Sequence, residues 1–188
     1  MSAPLLELDG VVAGYARPVV GPVSLTVAAG EVIGLSGANG TGKSTLLGVA
    51  TGGARRFAGS VALRAGVRVA HHRQRPERLH EMPLRGSELL AVAGADPAGC
   101  PALLRERLAL SMDELSGGQY QLLLAYACLG GPADLVLLDE PSNNLDPDSV
   151  AALSDLLVHA GAQRGVLVVS HEAAFLAACC TRIVEVGR

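Results

Sequence analysis

The run Gly37-Ala38-Asn39-Gly40-Thr41-Gly42-Lys43-Ser44-Thr45 constrains this chain more than any other stretch, because it fits the phosphate-binding pattern G-x-x-x-x-G-K-[ST]. Its flanks agree with that reading. Val32-Ile33-Gly34-Leu35 is short and apolar, as a buried parallel strand should be, and Ser44 to Ala50 reads as the first turns of a helix. Gly37, Gly40 and Gly42 let the backbone curl with its N–H groups around an anion, with Asn39 and Thr45 inside the same run. The helix N-terminus behind the loop adds partial positive charge. Lys43 can reach the β- and γ-phosphates of a nucleotide, and the Ser44 hydroxyl can sit on Mg²⁺. An ordinary Gly-rich turn would not need this strand, this helix and this lysine together. The class predicted is therefore α/β with a phosphate-loop core.

The totals leave room for that fold and close off others. A chain of 188 residues makes one domain, or one domain with a small subdomain, and can bury a core without disulfides. The formal net charge of -3 gives no electrostatic case for binding nucleic acid. No apolar run has the length of a membrane span, and no signal peptide precedes the first strand-like segment. Cys100, Cys128, Cys179 and Cys180 have no metal-ligand spacing and read as reduced thiols of a cytosolic protein.

Leu5 to Val12 alternates as a strand, and Val19 to Val27 reads as a strand pair broken at Gly21-Pro22. Gly59 to Leu63 and Val67 to Ala70 are short strands. From His71 to Pro83 the chain is basic, His-rich and Pro-punctuated, and reads as loop; the spacing of His71, His72 and His80 does not suit a metal. Ser87 to Ala93 and Ala102 to Leu110 have helical spacing, with Pro101 placed to open the second. A helix over Gly118 to Leu129 follows, then strand, helix, strand, helix and strand over Asp134–Leu138, Ser149–Ala160, Val166–Ser170, Ala173–Cys180 and Ile183–Val186.

Two further constellations carry chemistry. Leu135-Val136-Leu137-Leu138-Asp139-Glu140 is a doubly buried strand ending in two acids. Acids there project from the carboxyl edge of the sheet, where open α/β folds bind ligands. Asp139 is placed to hold Mg²⁺, and Glu140 to accept a proton from an attacking water. Leu115-Ser116-Gly117-Gly118-Gln119 opens a helix with a hydroxyl and two bare glycines, a second anion site. One nucleotide does not need two such sites from one chain, so this one is expected to serve the nucleotide of another subunit.

With these motifs in this order, the chain resembles the ATP-binding cassette family, the ATPase subunits of ABC transporters. Gly37 to Thr45 matches the Walker A loop, Leu115 to Gln119 the family signature, and Leu135 to Glu140 Walker B. Ser142 to Asp146 matches the D-loop, His171 the switch histidine, Gln74 the Q-loop glutamine, and Tyr15 the aromatic that stacks on adenine. The resemblance implies a P-loop core of ABC ATPase type with an N-terminal antiparallel β subdomain. It also implies a short helical subdomain inserted at about residues 75–116 of a single 1–188 domain. It implies ATP and Mg²⁺ as ligands, with Ser44, Asp139 and Gln74 on the metal. Each ATP would lie between one chain's Lys43 loop and the Ser116, Gly117, Gly118 and Gln119 of a second ATPase subunit, a homodimer being expected. Glu140 and His171 would act in hydrolysis, Gln74 would sense the partner, and Asp146 would communicate across the dimer.

The match is not complete. The signature is usually followed by a residue, Gln and Arg; here Tyr120-Gln121-Leu122 puts Leu at the Arg position. The chain also stops 17 residues after His171, which predicts no C-terminal regulatory domain. The resemblance implies a separate integral membrane permease as partner and a cytoplasmic location at the inner face of the membrane. The segment Arg75 to Gly94, with Met82 to Gly94 within it, resembles the post-Q-loop segment of zinc and manganese uptake ATPases. Two other branches share motifs. The ribosome-associated ABC-F proteins carry two cassettes in one chain, and the DNA-repair cassettes insert a long coiled coil; this chain has neither.

Overall fold

The computed structural model describes residues 3–73 and 84–187. Two sheets share one hydrophobic cluster, to which the helix after the phosphate loop also contributes. The first is antiparallel, in the order β2-β1-β4, from β1 (Leu6–Gly14), β2 (Pro18–Val27) and β4 (Arg55–Leu63). The second has five parallel strands in the order β5-β6-β7-β3-β8: β3 (Val32–Ser36), β5 (Val69–His72), β6 (Leu135–Asp139), β7 (Gly165–Val169) and β8 (Arg182–Glu185).

The central strands explain the layering. Every residue of β6 and β7 is buried, as continuous aliphatic runs require. Successive side chains point to opposite faces. Leu135, Leu137, Leu167 and Val169 pack with Leu46 and Leu47 of α1 (Lys43–Ala50) and with Leu6, Leu8 and Val11 of β1. Val136, Leu138, Val166 and Val168 pack on the other face. There they meet α4 (Gly117–Gly130), α5 (Pro147–Gly161) and α6 (Ala173–Cys179) through Leu122, Leu153, Leu157 and Leu176. Between β5 and α4 run α2 (Gly86–Ala93), a turn at Pro97–Gly99, α3 (Ala102–Arg105) and a turn at Met112–Glu114. Leu90, Leu104, Leu108 and Met112 from this segment join the α4 side of the core.

Three expectations change. The helix expected over Ala102–Leu110 stops at Arg105. The carbonyls of Leu108 and Leu110 instead accept the Ser87 and Gly86 N–H groups at 2.8 and 3.2 Å. Those bonds satisfy first-turn donors of α2, so the segment caps a neighbour and does not continue its own helix. The pair of strands expected over Val19–Val27 is one strand, and the Gly21-Pro22 step is absorbed as a register irregularity against β1. His71 and His72 are not solvated loop. They extend β5 in parallel register with Leu137 and Leu138, and His72 is only 3% exposed. Burial lowers its pKa from the ordinary 6.5 to about 4, so the imidazole is neutral.

Candidate functional site

The phosphate loop leaves β3 at Ser36 and enters α1 at Lys43. Its glycines are required by both dihedral angle and space. Gly42 has φ 91°, and a Cβ there would lie 2.5 Å from the Val20 Cβ; Gly37 has φ 143°, and a Cβ would lie 2.4 Å from the Val186 carbonyl oxygen. The first turn of α1 carries no acid of its own. Lys43 is buried, and its Nζ donates to the Gly37 and Ala38 carbonyls at 2.7 and 2.9 Å. The ammonium is thereby held across the mouth of the loop.

Across the sheet, the Ser44 Oγ donates to Asp139 Oδ1 at 2.8 Å, joining residues 95 apart in sequence. Asp139 is buried, which raises its pKa; the Ser44 hydrogen bond opposes that rise, the Glu140 charge adds to it, and Lys43 opposes it. Two oxygens side by side at the end of a buried strand form the hard donor set that Mg²⁺ takes, so these residues fit the ion.

Glu140 follows at the turn, 5% exposed, with φ 49°. A non-glycine residue in the left-handed region persists only where its surroundings hold it. They do so here: the Glu140 N–H donates to Val169 O at 2.9 Å, and its carbonyl accepts from Asn143 N at 3.2 Å and Gln121 Nε2 at 3.4 Å. The carboxylate is thus turned toward His171, whose Nδ1 lies 2.9 Å from Glu140 Oε2. The backbone that carries His171 is clamped as well. Glu172 N donates to Ser170 Oγ at 3.1 Å, and Ser142 Oγ donates to Glu172 Oε1 at 2.9 Å.

A cavity of about 360 Å³ joins these pieces. It is lined by Asn39, Gly40, Gly42, Lys43, Ser44 and Thr45 on the loop side, by Glu140, Asn143 and His171 opposite, and by Val19 at one edge. Eight of the residues expected from sequence therefore surround one space. Val19 and Asn143 are additions. Val19 is a half-exposed valine on β2, which a sequence pattern cannot distinguish from an ordinary strand residue.

The remaining candidates lie elsewhere. Tyr15 is exposed in the turn between β1 and β2 and does not line this cavity. Ser116, Gly117, Gly118 and Gln119 form the start of α4 and do not line it either. There Gln119 N donates to Ser116 Oγ at 3.2 Å, and Ser116 N donates to Gln119 Oε1 at 3.0 Å, a reciprocal capping box. Gly118 rests against the next turn, where a Cβ would lie 2.9 Å from the Asn144 carbonyl oxygen. Asp146 caps α5, accepting from Ser149 N at 2.8 Å, and the bonds from Ser149 hold its carboxyl below the usual carboxylate range. Leu122, at the position where an Arg is usual, is fully buried in the α4 core and needs no ionic partner. Gln74 lies outside the described residues.

Comparison with known proteins agrees with this geometry. A family model described as ABC transporter matches residues 20–90, and one described as AAA domain matches residues 104–177. A zinc import ATP-binding protein of Paramagnetospirillum magneticum is 38% identical over 98% of this chain and 74% of its own length. One from Jannaschia is 35% identical over 96% and 78%, and one from Marinobacter nauticus 30% identical over 98% and 75%. Among solved structures, an ATP-binding subunit of an ABC transporter superposes with a TM-score of 0.81 at 27% identity, over 96% of this chain and 85% of that one. A bacterial Atm1-family ABC exporter with ATP bound shares the fold at a TM-score of 0.79 and 20% identity, over 98% and 37%. With a relative at this identity matching most of both lengths, and with the loop, Glu140 and His171 assembled around one cavity, the chain belongs to the ABC transporter ATPase family.

Proposed function

We propose that this protein binds and hydrolyses ATP as the energy-supplying subunit of an ABC transporter, acting as a single domain on a separate membrane permease. The observation that carries this reading is the buried Glu140, held in a left-handed backbone and 2.9 Å from His171, facing Lys43 and Ser44 across one cavity. The loop N–H groups and the α1 N-terminus bind the triphosphate, and Lys43 exchanges its two loop carbonyls for phosphate oxygens. Ser44 and Asp139, with Gln74, would hold Mg²⁺, which neutralises charge on the phosphate oxygens when bound. Glu140 orients water and accepts its proton, and His171 donates toward the γ-phosphate.

A second copy completes the site. The N-terminal turn of α4 has first-turn N–H groups with no intrahelical acceptor, an anion site by geometry. In a head-to-tail pair, Ser116 to Gln119 of one chain would close over the nucleotide of the other and exclude water. Asp146 would transmit that closure, and Tyr15 would stack on adenine. No helix among the described residues is long and apolar enough to cross a membrane. The permease would be a separate chain, met at the inner face of the membrane. Its short docking helix would enter the groove of about 380 Å³ between β5, α2 and α4, lined by His72, Leu89, Ala93, Leu124 and Cys128. The relatives named as zinc import ATP-binding proteins support metal-ion uptake as the process driven.

The test is ATP turnover of the purified chain with and without Glu140→Gln, together with its partner in cells. Loss of turnover with nucleotide binding retained, and recovery with an integral membrane protein, is expected. Unchanged turnover would remove Glu140 from its role, and sedimentation with ribosomes would overturn the transporter reading.

A further inference from the structure

The phosphate loop and the paired acids stand at the carboxyl ends of the parallel strands. A separate group of charges stands at the other end. Arg68 directly precedes β5, Asp134 precedes β6 and Arg164 precedes β7, so all three lie on the amino edge of the sheet. Arg64 joins them from the antiparallel sheet, where it directly follows β4. With Gln163 these residues line a cavity of about 280 Å³.

The backbone of each arginine is pinned. Arg64 N donates to Leu5 O at 3.0 Å, Arg68 O accepts from Asp134 N at 2.9 Å, and Arg164 N donates to Ala160 O at 3.1 Å. Their side chains are brought together without being neutralised. Among the described residues Asp134 is the one acid lining the cavity, and it is committed to Arg68. Its Oδ2 accepts from Arg68 N and Nε at 2.9 and 3.3 Å, and its Oδ1 accepts from Nη2 at 3.4 Å. Arg64 Nη1 reaches the Ala3 carbonyl at 3.5 Å. Arg164 donates from Nη1 to the Gly131 carbonyl at 2.8 Å, and its buried Nε has no hydrogen-bond partner among the described residues. Burial lowers the Arg164 pKa, Asp134 opposes that fall and Arg68 adds to it, yet a guanidinium stays charged in a protein. Three guanidinium groups and one carboxylate therefore leave two positive charges uncompensated in one concavity. Like charges held together repel, and an anion placed between them turns repulsion into attraction.

We propose that Arg64, Arg68, Arg164 and Gln163 form a binding site for a phosphate dianion, distinct from the phosphate loop. The charge left over equals that of the dianion. Guanidinium donors arriving from three elements suit a tetrahedral oxyanion, which offers oxygens in several directions, better than a planar carboxylate. Because the backbones are already fixed, little ordering remains to be done on binding. Arg64 and Arg68 are exposed, so the ion enters from solvent and its affinity falls as salt rises. Once bound, it ties the end of β4 to the starts of β5 and β7, fastening the two sheets together on the edge remote from Lys43 and Glu140.

The experiment titrates the full chain with inorganic phosphate by calorimetry at low ionic strength, after the phosphate loop has been filled with Mg²⁺ and a non-hydrolysable ATP analogue. One phosphate per chain should bind with a dissociation constant of about 1 mM or below. Arg64→Ala and Arg164→Gln should each weaken binding about tenfold or more, the size of a lost charge-assisted hydrogen bond. Arg182→Ala, on β8, should leave it unchanged. In the wild-type chain phosphate should slow phenylglyoxal modification of Arg64 and Arg164 but not of Arg182, read by peptide mass spectrometry. A titration that does not saturate, undiminished affinity in Arg64→Ala and Arg164→Gln, or modification at an unchanged rate would overturn the proposal. The modification arm decides the matter if Arg164→Gln fails to fold. Glycerol 3-phosphate competing as well as phosphate would make a phosphate ester the ligand, and weaker competition the free ion; both results uphold the site.

Discussion

The phosphate loop and the start of α4 are both glycine-rich turns that open a helix, yet their hydrogen bonds go to different places. Around the loop they reach across the fold: Ser44 to Asp139 on another strand, with Gly37 under Val186 and Gly42 under Val20. At the start of α4 they close on themselves, Ser116 to Gln119 and back. The first arrangement is assembled by the tertiary structure and cannot exist without the sheet. The second is a local cap that any helix could carry. A loop held from several directions is preorganised for its ligand within one chain, whereas a self-contained cap presents its donors outward. That asymmetry is what the proposed two-chain site requires.

The comparison breaks most sharply at Glu140. Glu140→Gln should keep ATP binding and lose ~10²–10⁴-fold in turnover, the usual size for a general base, measured by phosphate release beside nucleotide binding. Lys43→Ala should abolish tight nucleotide binding by equilibrium titration; retained tight binding would contradict the loop assignment. On the other side, Leu122→Ala should leave the loop intact while lowering stability by about 2–5 kcal/mol in urea unfolding, as a fully buried Leu truncation does.

The acid limb sharpens the contrast between the sheet and the exposed cap. His72 has a folded pKa of about 4, below the ordinary 6.5. Above pH 6.5 neither state is protonated and the group contributes no slope. As pH falls from 6.5 toward 4, the unfolded chain binds a proton that the folded chain does not, so stability drops, by up to about 3 kcal/mol from this group. Below pH 4 the loss levels off. Burial lowers the His71 pKa too, so it acts in the same direction. His72→Gln should flatten that limb in unfolding measured against pH. The smallest effect belongs to Ser116→Ala, which should cost about 1 kcal/mol of stability as a lost cap. A far larger drop in turnover than in stability would mark its role in the paired site.

What could be read in advance was local or strongly patterned. The apolar runs at Val32 and Leu135 identify buried strands without tertiary knowledge, and the loop carries its chemistry in its own spacing. Glu140 and His171 were both legible as candidates, but their 2.9 Å pairing was not, because it depends on the left-handed turn and the Ser142–Glu172 clamp. His71 and His72 have the pattern of a loop because the apolar run of β5 stops at Ala70, while pairing with Leu137 and Leu138 carries the strand further. Leu108 and Leu110 have helical spacing, yet their carbonyls serve the first turn of α2, a demand made by a segment some twenty residues upstream. Val19 enters the cavity through the β1–β2 register, which no periodicity reveals.

The contact of Val20 with Gly42 has a mechanical consequence. The valine fills the volume that any side chain at position 42 would need, so the antiparallel sheet and the phosphate loop touch with no compressible atom between them. A tilt of that sheet therefore requires the loop to shift or Val20 to repack.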